Sequence, residues 1–200
     1  MASTATPYGL RAVNELGGLP YAGSTRSFLI DPAGYSVNIF NGSIVSVVAT
    51  GYLEIVTTVG SSAGNIFPAG TIGVFVGCSY TNTQGQTVFS QYYPANATNA
   101  VAFVIDDDRT VFQVQAAGTL AQAALGQNAI LQAVQSTSTG STTTGNSTTA
   151  ISISTNTTAT YGLKIVGFVQ STTSTVGDAY TDVLVKFNIG SHAYNTGTGI

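Results

Sequence analysis

Residues 35–48 read Tyr-Ser-Val-Asn-Ile-Phe-Asn-Gly-Ser-Ile-Val-Ser-Val-Val. Tyr35, Val37 and Ile39 alternate with Ser36 and Asn38, the period of two that sets one face of a strand against a core. Asn41-Gly42 separates this run from a second one over 43–48. Asn-Gly between apolar runs is the strongest short hairpin signal, because both residues tolerate positive φ. The stretch therefore predicts two strands and a tight turn.

The same texture continues downstream. Leu53 and Ile55 alternate with Tyr52 and Glu54. Ile72, Val74, Val76 and Cys78 are expected on one face of the next strand. Gly73 and Gly77 opposite them signal a bulge or a close backbone neighbour. Further strands are expected at 87–92, 101–105, 110–115, around Ile151 and Ile153, and at 163–169 and 182–187. In the last, Val183, Val185 and Phe187 should face inward. β-Branched and aromatic residues dominate throughout, as strands prefer. One short helix is expected at about 120–125, with Thr119 as its cap and Gly126 as its stop, and 128–134 should be extended again. The expected fold class is all-β, a compact β-barrel or sandwich.

Three regions follow from this pattern. Residues 1–27 are rich in Gly, Pro and Ala and show no strand or helix period. They predict an extended N-terminal arm whose spaced anchors, Tyr8, Leu10, Arg11, Val13, Leu16, Leu19, Tyr21 and Arg26, are candidates for contact with a neighbour. Residues 28–189 form the β domain, with a Ser/Thr-rich loop at 136–149 that contains no apolar side chain. Residues 190–200 read as a Gly/Thr-rich C-terminal extension.

Charge is the compositional anomaly. Charged residues make up 6% of the chain, where soluble domains usually carry about 25%. The five cations are Arg11, Arg26, Arg109, Lys164 and Lys186, and the net charge is −3. Repulsion between copies is then weak, which suits a surface spent on contacts. Five scattered cations cannot neutralise a tract of phosphates, so nucleic acid is not an expected partner. No apolar run reaches the length of a membrane-spanning helix, so no membrane partner is expected. The first residues lack a basic segment followed by an apolar one, so synthesis in a reducing cytoplasm is expected. One cysteine, Cys78, excludes an internal disulfide.

Chemistry is hard to find. His192 is the one histidine, and no Gly-x-Ser-x-Gly elbow accompanies it, so a packing role outweighs a catalytic one. Cys78 lies in an apolar strand and reads as a small hydrophobe. Asp106, Asp107 and Asp108 could approach calcium, but between two strands they read better as a solvated hairpin turn. No catalytic, cofactor-binding or metal-binding residues are expected, and the protein is not expected to be an enzyme.

Several stretches resemble one family. They are Pro7-Tyr8-Gly9-Leu10-Arg11, Pro20-Tyr21-Ala22-Gly23-Ser24-Thr25-Arg26, Asn38-Ile39-Phe40-Asn41-Gly42, Gly73-Val74-Phe75-Val76-Gly77-Cys78-Ser79-Tyr80, Gln91-Tyr92-Tyr93-Pro94, residues 141–148 and residues 177–185. Together they span most of the chain, and they resemble capsid decoration (cement) proteins of tailed bacteriophages of aquatic bacteria. The resemblance implies a virion structural protein on the capsid exterior, bound to the major capsid protein where subunits meet, self-associated as a homotrimer and stabilising the shell. Two other non-enzymatic readings compete, with a hydrolase using His192 or the cluster of Asp106, Asp107 and Asp108 as a third. One is another phage part, such as a tail, head–tail or fibre protein, which copy number would separate. The other is a glycan-binding adhesin module using the Ser/Thr/Asn loops and tyrosines.

Overall fold

The computed structural model describes residues 4–60, 67–197 and 199. In chain order its strands are β1 (Arg11–Glu15), β2 (Arg26–Leu29), β3 (Ile44–Val47), β4 (Leu53–Ile55), β5 (Thr71–Thr81), β6 (Thr87–Ser90), β7 (Thr98–Ile105), β8 (Thr110–Gln115), β9 (Asn128–Ala129), β10 (Leu163–Phe168) and β11 (Asp182–Phe187). They form two antiparallel sheets. One has five strands in the order β1-β8-β11-β10-β9. The other has six, in the order β2-β7-β5-β3-β4, with β6 pairing the far end of β5. The fold is an all-β sandwich.

Alternation in β11 sets the inward face of the five-stranded sheet. Val183, Val185 and Phe187 of β11 are buried, as their spacing predicts, and they join Phe112 and Val114 of β8 and Leu163 and Ile165 of β10. Across the gap they meet Ile44, Val74 and Ile105 of the six-stranded sheet. The Phe187 ring stands edge-on to Phe67 at 6.2 Å and to Phe112 at 5.8 Å. Each side chain removed from water here stabilises the fold by about 1.5–3 kcal/mol.

A second core lies on the other face of the six-stranded sheet. Ile44 and Val45 are consecutive, as are Val104 and Ile105, so their side chains point to opposite faces. Val45 and Val104 pack with Ile30, Ile39, Leu53, Ile55, Phe75, Cys78 and Tyr93. Part of this cover comes from segments with no regular strand, within 30–40 and 91–97.

β5 serves both cores, and it does so through its glycines. Val74 and Val76 belong to the inter-sheet side, whereas Ile72, Phe75 and Cys78 belong to the second core. The expected single face over 72–78 is therefore divided. Register shifts beside Gly73 and between Phe75 and Gly77 insert one extra residue each, and each insertion reverses the alternation. A Cβ on Gly73 would lie 1.9 Å from the Ile105 carbonyl oxygen, so the bulge and the close backbone neighbour coincide there.

Other expectations give way to tertiary pairing. Residues 35–39 do not form a strand. Ile39 makes an isolated bridge to Tyr93, and β3 pairs with β4 and β5 instead. Asn41-Gly42 is a turn, closed by the Ser43 N–H donating to the Phe40 carbonyl at 3.0 Å, but only Gly42 has positive φ, so it is not the hairpin type. Asp106, Asp107 and Asp108 join β7 to β8, which lie in different sheets, so they form a crossover corner and no hairpin. The helix expected at 120–125 is one 3-10 turn, Gln122–Ala124, capped by no side chain. So short a segment makes too few bonds to repay helix nucleation. Ile151 contributes only isolated bridges, to Ala116 and Leu131.

The described parts of both end regions are built in, residues 1–3 lying outside the described residues. The expected arm over 1–27 contains β1, an edge strand of one sheet, and β2 (with Arg26) begins an edge strand of the other. Residues 4–9 lack a strand, yet the Thr6 N–H donates to Gln115 Oε1 at 2.9 Å and Gln115 Nε2 donates to the Thr4 carbonyl at 3.1 Å. Of the expected extension over 190–200, positions 198 and 200 lie outside the described residues; the stretch 190–197 is not a free extension, because Ser191 and His192 are buried and Ala193 packs on the second core. Elsewhere the Gln135 amide accepts from Ile44 N–H at 2.9 Å and donates to the Ile44 and Val56 carbonyls at 3.0 and 2.9 Å. It bonds as a further strand would, beside the root of the Ser/Thr-rich loop.

Candidate functional site

The candidate contact residues near the N-terminus divide into three groups. Leu10 is 1% exposed and sits in the inter-sheet core, so it is unavailable to a neighbour. Its apolar side chain gains more from that core than from solvent, which fixes the chain entering β1. Tyr21 is half-buried against the same core, and its hydroxyl donates to the Ser24 carbonyl. Tyr8 donates to Asp182 Oδ1 at 3.0 Å, and the Arg11 guanidinium stacks 4.5 Å above the Tyr8 ring. Burial and the Asp182 charge both push the Tyr8 hydroxyl pKa upward, so it stays a donor. Arg26 forms an ion pair with Asp106 at 2.8 Å.

The third group is apolar and faces solvent. Val13, Leu16 and Leu19 are 44%, 45% and 64% exposed. They lie at the β1 edge and on the turn after it. Gly17 and Gly18 have φ of +117° and +85°, and the Glu15 N–H donates to the Leu19 carbonyl at 2.7 Å. This turn folds the chain back on β1, where Asn14 bridges Pro20. Three of the expected anchors are therefore gathered on one sheet edge.

Sequence reading missed a second apolar patch. Leu29 of β2 opposes Val101 of β7, and Ser79 of β5 is the partner of both Val101 and Phe89 of β6. Directly paired residues share a face, so Leu29, Val101 and Phe89 line one surface. Phe103 follows two residues after Val101 and stacks on Phe89, with centroids 6.5 Å apart and planes inclined by 10°. Ile105, two residues further along the same face, is in the inter-sheet core. The six-stranded sheet thus extends past its partner, and the overhang leaves Phe89 76% and Leu29 59% exposed. Gly77, opposite Phe103, removes the side chain that would otherwise stand beside these rings. The strands were legible in the sequence. The overhang depends on how far the other sheet reaches, which no local pattern encodes.

The polar corner is structural. Asp106 is nearly buried and takes Arg26 and, at 2.8 Å, the Tyr194 hydroxyl. Asp107 Oδ1 accepts from the Arg109 N–H at 2.8 Å, and Asp108 Oδ2 from Asn195 Nδ2 at 3.0 Å. Among the described residues no three His, Cys, Asp or Glu side chains are placed to hold a metal ion. His192 is fully buried, 5.5 Å from the Phe187 ring and 5.0 Å from the Tyr194 ring. Its Nδ1 accepts from the Tyr194 N–H at 3.3 Å, while Nε2 is buried with no hydrogen-bond partner among the described residues. Burial lowers its pKa despite the three nearby aspartates. Ser191 Oγ is buried and not bonded to it, so the pair does not form an activated nucleophile. Cys78 is 1% exposed, and burial pushes its thiol up to about 12, far from the thiolate a nucleophile needs.

One cavity of about 290 Å³ lies where residues 4–7 cross the five-stranded sheet, lined by Ala5, Pro7, Gln115, Ala117, Thr149 and Tyr180 among others. Its lining contains no charged side chain. The arrangement as a whole offers adhesive surface: an aliphatic edge and an aromatic overhang. Comparison with known protein families, with curated proteins and with solved structures finds no match to this chain.

Proposed function

We propose that this chain is a virion structural protein of the decoration (cement) type, binding the outer surface of a capsid shell at subunit junctions and stabilising it. The observation that carries the reading is the pairing of two exposed apolar surfaces with a 6% charged fraction. Interface centres favour aromatic and aliphatic side chains and few charges. Transferring Phe89 from water onto a neighbour stabilises an association by about 2–3 kcal/mol, the size of an interface hot spot. Each patch is small beside the roughly 800 Å² per partner of a standard interface. Many copies on a lattice compensate through avidity.

The partners in this reading are the major capsid protein and further copies of the chain, as a homotrimer. The protein is made in the host cytoplasm and resides on the capsid exterior. The family resemblance of its sequence supports these finer points.

Quantitative mass spectrometry of purified particles tests the reading. A copy number approaching that of the major capsid protein is the expected result. A few copies per particle would assign the chain to a tail or fibre, and its absence from particles would overturn the proposal.

A further inference from the structure

The chain has only two lysines, Lys164 and Lys186. They are direct cross-strand partners on β10 and β11. Side chains so opposed have Cβ atoms about 4.5–5.5 Å apart, and like charges there destabilise a sheet. Among the described residues neither lysine has an ion pair or a hydrogen bond, and Arg26–Asp106 is the one salt bridge.

The rest of that face extends the pattern. Val183, Val185 and Phe187 point inward, so Asp182, Leu184 and Lys186 point out. Leu184 opposes Gln113, and Gln113 opposes Arg11, which places Arg11 on the same outward face. Three of the five cations therefore share this face with one carboxylate, Asp182, which is engaged by the Tyr8 hydroxyl. Glu15, the other acidic residue of the sheet, opposes Thr110 in the register of the inward face. The face is net +2 on a chain of net −3. Between the charges the relief is low, because Gly167 lies beside Leu184. Arg11 and Lys164 stand three strands apart, about 14 Å across the sheet at ordinary strand spacing, and two residues apart along it.

We propose that the outward face of the five-stranded sheet docks an acidic protein surface, with one carboxylate seated between Lys164 and Lys186 and another at Arg11. A carboxylate accepts two charge-assisted hydrogen bonds and relieves the opposed lysine charges, so the strained pair becomes a recognition element. A protein surface fits better than nucleic acid, because three cations match too few phosphates. The inference rests on charge placement alone and stands whether or not the chain decorates a capsid.

The test uses the purified full chain and an octaglutamate peptide, followed by backbone amide shifts. Shifts concentrated at Arg11, Lys164, Leu184 and Lys186 are expected. Lys164→Glu should weaken peptide binding by roughly tenfold and raise the melting temperature, since the like-charge pair becomes an attractive one. Lys164→Gln should change both readouts in the same directions by less, and Arg109→Gln should leave binding unchanged. Shifts centred on Arg26 and Arg109, equal binding by Lys164→Glu, or a lower melting temperature in that variant would each overturn the proposal. So would a short DNA duplex that displaces the peptide at lower concentration, since the partner would then be nucleic acid.

Discussion

The five-stranded sheet packs one face into a core and carries mostly polar and charged side chains on the other, whereas the six-stranded sheet has a core on each face. Between the sheets, the cover is another set of strands whose own ladders satisfy their backbone. On the far side it is largely irregular chain, and its backbone groups need other partners. Tyr93 supplies them. Its hydroxyl accepts from the Tyr35 N–H at 2.8 Å and lies 3.1 and 2.9 Å from the Tyr35 and Ala97 carbonyls. Asn38 Oδ1 takes the Ala95 N–H at 2.7 Å. A core closed by strands thus depends on side-chain volume, and a core closed by loops depends equally on polar pins.

Four measurements bear on this contrast. Gly73→Ala should have the largest effect, because Gly73 sits where β5 passes between the two cores. Its φ is +147° and an added Cβ would lie 1.9 Å from the Ile105 carbonyl oxygen. A loss of more than about 4 kcal/mol, or failure to fold, is expected in urea unfolding. Next, Phe112→Ala empties the inter-sheet core and should cost about 3–5 kcal/mol by the same measurement. Tyr93→Phe keeps the ring but leaves the Tyr35 N–H without its acceptor, which should cost about 1–3 kcal/mol. Hydrogen exchange should then quicken first over 30–40 and 91–97, with the inter-sheet strands still protected. If exchange rose equally in both regions, the two cores would be one cooperative unit and the contrast would fail.

The smallest effect concerns His192, at the end of the sandwich. Burial holds its pKa below the ordinary value, while in the unfolded chain it titrates near about 6.5. As pH falls through that value, the unfolded state takes up a proton that the folded state refuses. Stability should therefore decline from about pH 7.5 towards 5.5, by at most about 1.4 kcal/mol per pH unit. Thermal melts across that window check the slope, and His192→Phe should flatten it.

The strands 110–115 and 182–187 were located to the residue, and in the second the alternation of apolar and polar side chains matches burial on one side by a single partner sheet. It misread 35–39 and 72–78 for opposite reasons. The first has strand spacing, but Ile39 is used as cover and Tyr93 takes its backbone bonds. The second is a strand whose bulges reverse its facing twice. The candidate surface was legible in half. Val13, Leu16 and Leu19 stood out as apolar residues in unpatterned sequence, and they are exposed. Leu10 had the same local signature and went to the core, because only the packed sheets determine which anchor faces inward. Phe89 and Leu29 looked like ordinary strand residues, and their exposure comes from the unequal reach of the two sheets.

The amide of Gln135 is tied into the sheet by three hydrogen bonds, and Gln115 clasps residues 4–6 with two. Neither group gains or loses a proton in ordinary aqueous conditions. These splints grip identically in acid and in base. Glutamate, the nearest isostere, would offer Ile44 and Val56 oxygen where they require a donor. A polypeptide that shuns ionisable groups on its exterior also fastens its interior with fittings indifferent to acidity, leaving buried His192 as a place where a change of pH takes hold.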